Sequence, residues 1–177
     1  RWSVYGQNEG ADLLPKLAPE RFQPRATALE LACRHNVDVL LVGPAIHEKS
    51  GLSRATLRGG RFRAAVSAGD LVAGALEGLH IGPRSFVYCH HNELDTTGHA
   101  RGAGSVAWHY TLRQIDRMCQ SLAEALPADA SLIVSGDHGM VDLEPVQRID
   151  LDDHPELSHG VRIMAGEGRA RYLYTHD

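Results

Sequence analysis

Three short apolar runs constrain the fold of this 177-residue chain more than any other feature of its sequence. They occupy residues 37–42, 85–89 and 132–134, and consist mainly of β-branched and other apolar residues. Runs this short and this apolar are typical of strands buried on both faces, as in parallel sheets covered by helices. Segments with helical spacing lie between them, so the order of elements predicts an α/β domain with a largely parallel sheet.

Three helices are predicted from apolar spacing and from residues that start or stop helices. Residues 25–36 place apolar side chains at helical intervals, and Asn36 suits the helix end. Asp70 is expected to cap a short helix over 71–79. The clearest helix spans 105–126, where apolar residues recur at spacings of three, four and seven before Pro127.

The remaining segments are predicted as connections and one hairpin. Residues 1–24 and 90–104 are polar or glycine-rich and lack periodicity, so they are expected to be irregular. Residues 43–68 are expected to form a long connection with room for a short helix or hairpin. Two apolar stretches around a glycine-containing turn predict a hairpin at 161–174.

Composition excludes several classes of protein. Hydrophobic residues make up 43% of the chain and charged residues 23%, which excludes wholesale disorder. Eighteen Lys and Arg against 22 Asp and Glu give a net charge of −4, so no nucleic-acid polymer is expected as a partner. No apolar run approaches the length of a membrane span. Three cysteines without paired spacing, and no leader after Arg1, favour a reducing, cytoplasmic location.

Carboxylate and imidazole side chains follow two of the predicted strands. Asp95 and His99 come after the second strand, and Asp137 and His138 come directly after the third. The carboxyl ends of parallel strands are where ligands bind in such sheets, and this mixture of donors suits Zn²⁺ or Mn²⁺. Each pair alone also fits a helix cap, a solvated loop or a plain turn. His159 is a further candidate ligand.

The two motifs and the helix between them resemble a known family. Leu94-Asp95-x-x-Gly98-His99 is followed by the long helix and then by Asp137-His138-Gly139-Met140. In this order and spacing, residues 88–142 resemble the alkaline phosphatase superfamily, most closely its type I phosphodiesterase/nucleotide pyrophosphatase family.

The resemblance implies a three-layer α/β/α fold and hydrolysis of phosphate esters by two divalent ions, zinc or alternatively manganese. The substrate is then a small phosphate ester or a nucleotide. Asp95 and His99 correspond to ligands of the ion that holds the attacking water. Asp137 and His138 correspond to ligands of the ion that activates a Thr or Ser nucleophile.

Two parts of the family pattern have no counterpart in the chain. The family carries a metal-binding Asp and the nucleophile well upstream, and another His far downstream, whereas His159-Gly160 comes early. We therefore expect residues 1–177 to be one partial catalytic domain of a larger bacterial-type enzyme, with core motifs at 85–142 and no activity alone. The alternatives are a phosphonate hydrolase, a sulfatase, a metal-dependent phosphoglycerate mutase, or a non-catalytic domain that kept the fold.

Overall fold

A parallel sheet of three strands forms the centre of the molecule. The computed structural model describes residues 14–143, 149–167 and 170–176. Strand β1 (Asp38–Gly43) lies between β2 (Arg61–Ala64) and β3 (Ser85–Cys89), and both neighbours run parallel to it. The helices are α1 (Pro19–Phe22), α2 (Ala28–Arg34), α3 (Gly51–Thr56), α4 (Ala68–Gly78), α5 (Glu93–Arg101) and α6 (Val106–Ala125). Short 3-10 helices occupy Ala45–His47, Leu151–Asp153 and Pro155–Ser158.

Strand β1 is buried on both faces. On one face, Val39 and Leu41 pack against Leu29 of α2. On the other face, Leu40 and Val42 pack against Leu71 of α4, and Met118 of α6 lies against the same cluster. A strand covered on both sides has no polar face, which explains its continuous apolar sequence. The α/β fold with a parallel sheet between helices is confirmed.

Strand β2 lies within the segment that was expected to be a long connection. Its sequence alternates arginine with other residues, unlike a buried strand, and it forms an edge of the sheet. Arg63 is accommodated because its Nη2 lies 2.9 Å from Asp70 Oδ1. The predicted role of Asp70 as helix cap is wrong: Ser67 is the N-cap of α4, and its hydroxyl accepts the Asp70 N–H.

Helix α5 replaces the irregular connection predicted for residues 90–104. The helix has almost no apolar face, which is why periodicity did not reveal it. It packs against α6 instead, and tertiary packing commonly stabilises helices whose own sequence does not favour them. A second short helix, α1, lies in the segment 1–24 that was expected to be irregular, of which residues 1–13 fall outside the described part.

The strand predicted at residues 132–134 is absent from the described structure, and that prediction is wrong. The segment has no regular structure, and Ile133 is 88% exposed. Apolar β-branched residues form a strand only where a neighbouring strand supplies hydrogen bonds and packing. None of the described strands pairs with this segment.

The predicted hairpin at 161–174 is confirmed. Strands β4 (Val161–Glu167) and β5 (Ala170–Thr175) pair antiparallel. Gly166 lies within β4 opposite Arg171, and residues 168 and 169 fall outside the described part. Within the described ranges, no helix has the length and apolar character that crossing a bilayer requires.

Candidate metal centre

Helix α5 places Asp95 and His99 on one face, one turn apart. Residues four apart on a helix are neighbours, and Asp95 Oδ1 lies 3.4 Å from His99 Nε2. Both side chains are about half exposed. The helical spacing of this pair was visible in the sequence, although the segment was interpreted there as a loop.

His138 reaches the same carboxylate oxygen from another part of the chain. Its Nε2 lies 3.7 Å from Asp95 Oδ1, so Asp95 stands between the two histidines. The other ring nitrogen, Nδ1, lies 2.8 Å from the carbonyl oxygen of Gly139. A carbonyl only accepts, so we assign the proton to Nδ1, which leaves a lone pair on Nε2. His138 Nε2 and Asp95 Oδ1, both carrying lone pairs, then face each other across 3.7 Å. A cation bound between them would stabilise this arrangement.

Asp137 is the most exposed of the four predicted ligands. Its side chain is 91% exposed, and its Oδ1 lies 3.9 Å from His138 Nε2. The sequence suggested two separate pairs, whereas the structure groups both histidines around Asp95. The described residues contain no group of three or more His, Cys, Asp or Glu already arranged to hold a metal ion. Metal binding by Asp95, His99, Asp137 and His138 therefore stays a prediction.

The chemistry of these donors suits a divalent ion, and the spacing of one donor pair does as well. Ligand atoms about 2.0–2.1 Å from a tetrahedral zinc ion lie roughly 3.3–3.4 Å from one another. The 3.4 Å between Asp95 Oδ1 and His99 Nε2 matches such an edge, and the 3.7 Å to His138 is slightly longer. Small side-chain rotations about these half-exposed positions can close the difference.

Two contacts outside the four candidates hold the motifs together. Gly98 is buried within α5, where a Cβ atom would overlap the Met140 sulfur. After the helix, the N–H of Ala103 donates to Asp142 Oδ1 at 2.8 Å. Sequence reasoning missed Met140 and Asp142 as positioning residues. The only signal was their place beside the Asp-His pair.

A group of histidines borders the site at the end of β3. The ring centroids of His47 and His90 are 5.0 Å apart in an edge-to-face arrangement. Burial lowers the pKa of His90, as do the neighbouring His47 and His91, while the Asp137 carboxylate acts in the opposite direction. His47 carried no recognisable pattern in the sequence. His159 lies exposed after the 3-10 helix at Pro155–Ser158, and its role as a ligand stays a prediction.

One comparison with known proteins covers most of the chain. The family model described as type I phosphodiesterase/nucleotide pyrophosphatase matches residues 30–176. The matched range contains the sheet, α4 to α6 and all four candidate ligands. Searches of curated proteins and of solved structures find no match.

Proposed function

Because the chain belongs to the type I phosphodiesterase/nucleotide pyrophosphatase family, we propose that it carries four ligands of a divalent-metal centre that hydrolyses such phosphate esters. The four are Asp95, His99, Asp137 and His138. The family indicates a hydrolase of the phosphodiesterase type, and its description favours this branch over phosphonate hydrolases, sulfatases and phosphoglycerate mutases.

The approach of His138 Nε2 to Asp95 Oδ1 is the observation that carries the proposal. Because Nδ1 donates its hydrogen bond to the Gly139 carbonyl, Nε2 carries a lone pair, and it lies 3.7 Å from Asp95 Oδ1. His99 Nε2 adds a third donor beside the same oxygen. Divalent cations at this site would bind these donors and offset the negative charge of Asp95 and Asp137.

The residues of this chain then have distinct tasks. Asp95 joins the two histidines, and the Gly139 carbonyl fixes the ring orientation of His138, as outer hydrogen bonds do for histidine ligands generally. Asp137 adds negative charge at the exposed side of the site. Two bound zinc ions, or manganese ions, would supply electrostatic stabilisation of the charge that develops on the phosphoryl oxygens. The nucleophile is a Thr or Ser outside this chain.

Metal content and hydrolysis, measured on the same preparations, test the proposal. The complete protein that contains this chain is stripped with a chelator, reloaded with zinc or manganese, and assayed with a 4-nitrophenyl phosphodiester. Asp95→Asn keeps the shape of the side chain and removes its charge, and we expect it to lower both metal content and kcat/KM, the latter by about 10²-fold or more. Asp116→Asn, an exposed change on α6, is the matched control. Full activity without metal, or in Asp95→Asn, would refute the proposal.

A further inference from the structure

A small pocket opens at the carboxyl ends of all three parallel strands, next to the candidate metal centre. Its walls come from Pro44 after β1, Val66 after β2, Ala68 at the start of α4, and residues 90–93 after β3. Helix α5, which carries Asp95 and His99, begins at Glu93 of the same wall. A group bound here would therefore lie beside the reacting phosphate of the proposed reaction.

The size of the pocket limits what can bind. Its volume of about 160 Å³ lies well below the roughly 300–1,000 Å³ of pockets that enclose a whole drug-sized ligand. It can hold one small portion of an ester. A nucleoside is too large for it.

The charges around the pocket disfavour a negatively charged group. None of the described residues that line it is a lysine or arginine, and Glu93 contributes a carboxylate. The start of α4 would ordinarily attract an anion. There, however, the Asp70 carboxylate already occupies the first turn and accepts the N–H of Val66 at 2.9 Å. Arg63, a cation beside that turn, is bound by Asp70 and Glu77.

One residue of the wall, His91, has a ring nitrogen without a hydrogen-bond partner in the described part of the chain. This nitrogen, Nδ1, is buried. Leaving such an atom unpaired costs free energy, which a bound hydroxyl or ammonium group would recover once a rotation of the ring brings Nδ1 to the pocket surface. On the other side of the ring, Nε2 lies 3.8 Å from Glu93 Oε2.

We propose that this pocket binds a small alcohol portion of the substrate ester that carries a hydroxyl or amino group and no negative charge. Glycerol-like and amino-alcohol groups both satisfy this chemistry. The inference rests on the proposed function and narrows its substrate class to diesters of small, non-anionic alcohols. Nucleotide pyrophosphates, whose groups are larger and anionic, fit the pocket poorly.

Three matched 4-nitrophenyl phosphodiesters test the inference on the complete protein that contains this chain. Their second alcohols are ethylene glycol, ethanolamine and glycolate, which are similar in size and differ in charge; the methyl ester serves as the reference. We expect kcat/KM for the first two to exceed that for the glycolate ester by about tenfold or more. Preference for the glycolate ester would overturn the inference.

Variants of the pocket wall test whether the pocket causes the preference for the ethylene glycol and ethanolamine esters. Ala68→Leu adds bulk at an exposed position of the pocket wall and should lower kcat/KM for the two favoured esters to that of the methyl ester. Ala73→Leu, an exposed change on the same helix away from the pocket, is the control. Glu93→Gln should lower kcat/KM for the ethanolamine ester relative to the ethylene glycol ester. An unchanged ranking in Ala68→Leu would contradict the inference.

A binding measurement separates this inference from the proposed function. Saturation-transfer NMR with ethanolamine and ethylene glycol detects binding without any turnover, and Ala68→Leu should abolish the signal. If the methyl ester is not hydrolysed by the metal-loaded protein, the proposed function fails, while the NMR result still decides on the pocket. If the methyl ester is hydrolysed but neither alcohol binds, the pocket assignment alone fails.

Discussion

The two ring nitrogens of His138 have different surroundings, and this difference sets what the residue can do. Nδ1 donates to the Gly139 carbonyl, which holds the ring in place. Nε2 is turned towards Asp95 and is the atom available for a cation. Orientation and ligation are thus divided between two atoms of one side chain, and a substitution can remove either of them separately.

His138→Asn is expected to remove ligation and keep orientation. The asparagine amide can occupy the position of Nδ1 and still donate to the Gly139 carbonyl, but nothing replaces Nε2. We predict a thermal unfolding temperature close to that of the parent, with lower zinc content and about 10²-fold lower kcat/KM in the complete protein. His138→Gln, which offers an amide near the Nε2 position, should retain more metal. Equal metal content in His138→Asn and the parent would exclude Nε2 as a ligand atom.

Cys33 and Cys89 should differ sharply in reactivity. Burial raises the pKa of the Cys89 thiol to about 11, so at pH 8 only roughly one molecule in a thousand carries the reactive thiolate. Cys33 is exposed. Brief iodoacetamide treatment at pH 8, followed by peptide mass spectrometry, should therefore modify Cys33 well before Cys89. In urea the two rates should converge. Rapid labelling of Cys89 in the folded protein would contradict its burial.

At the scale of elements, the site depends on how α5 meets the segment that carries Asp137 and His138. Gly98 is a point of close approach, because a side chain there would occupy the space of the Met140 sulfur. The Ala103 N–H and the Asp142 carboxylate make a second connection just beyond the helix. Together they determine the position of His138 relative to Asp95.

A double-mutant cycle at this contact should show coupling. Gly98→Ala is expected to lower the free energy of unfolding by about 1 kcal/mol, because displacing the Met140 side chain costs more than the roughly 1 kcal/mol that alanine gains over glycine within a helix. Met140→Ala makes room, so adding Gly98→Ala to it should cost much less, giving a coupling energy of about 0.5–3 kcal/mol. Urea unfolding of the four proteins measures this. Gly69→Ala on α4, where the new methyl group meets only the Ser67 hydroxyl at 3.9 Å, is the control. Additive effects would show that the two residues do not compete for space.

How far each element could be predicted from the sequence follows from what stabilises it. Strand β1 could be predicted because a strand buried on both faces has a continuous apolar sequence. Helix α6 could be predicted because a helix buried on one face has periodic apolar residues. Strand β2 was missed because its arginine is neutralised by Asp70, a partner that no local pattern reveals. Helix α5 was missed because packing on α6 stabilises it. The apolar run at 132–134 predicts a strand, but no described strand pairs with it.

The candidate ligands were predictable for a different reason. Their residue types and their positions after strands follow from the chemistry of metal binding, so Asp95, His99, Asp137 and His138 could be named before any coordinates. Their mutual arrangement could not, since Asp95 and His138 are 43 positions apart and are brought together by the packing at Gly98 and Met140 and by the hydrogen bond from Ala103 to Asp142.

For the whole molecule, several ion pairs connect the helices on the outside of the sheet. Glu20 of α1 binds Arg54 of α3 at 2.8 Å, and Glu30 of α2 lies 3.3 Å from Arg58 just beyond α3. The Arg54 hydrogen bond lowers the pKa of Glu20, and the Thr27 backbone N–H, followed by Arg58, lowers that of Glu30. The Val66 N–H and Arg63 likewise lower the pKa of Asp70.

These shifts predict a loss of stability in acid. A carboxyl group whose pKa is lower in the folded protein binds protons more weakly there than in the unfolded chain. Its contribution is complete above the ordinary values of 4.5 for Glu and 3.8 for Asp, and disappears as pH falls through the lower folded value. Urea unfolding between pH 7 and pH 3 should show a decline that begins near pH 5 and is shallower in Glu30→Gln and Asp70→Asn. Stability that is constant down to pH 3, or an equally steep decline in the variants, would contradict this.

The contact between Gly98 and Met140 also has a consequence for evolution. Gly98 and Met140 lie about forty positions apart in the sequence but are in contact, so a substitution at one position limits which residues are tolerated at the other. A larger residue at position 98 requires a smaller side chain at position 140. Otherwise His138 is displaced from its place beside Asp95. Among relatives, a larger residue at 98 should therefore occur together with a smaller residue at 140. A library randomised at both positions and selected for activity should show the same inverse relation between the two side-chain volumes.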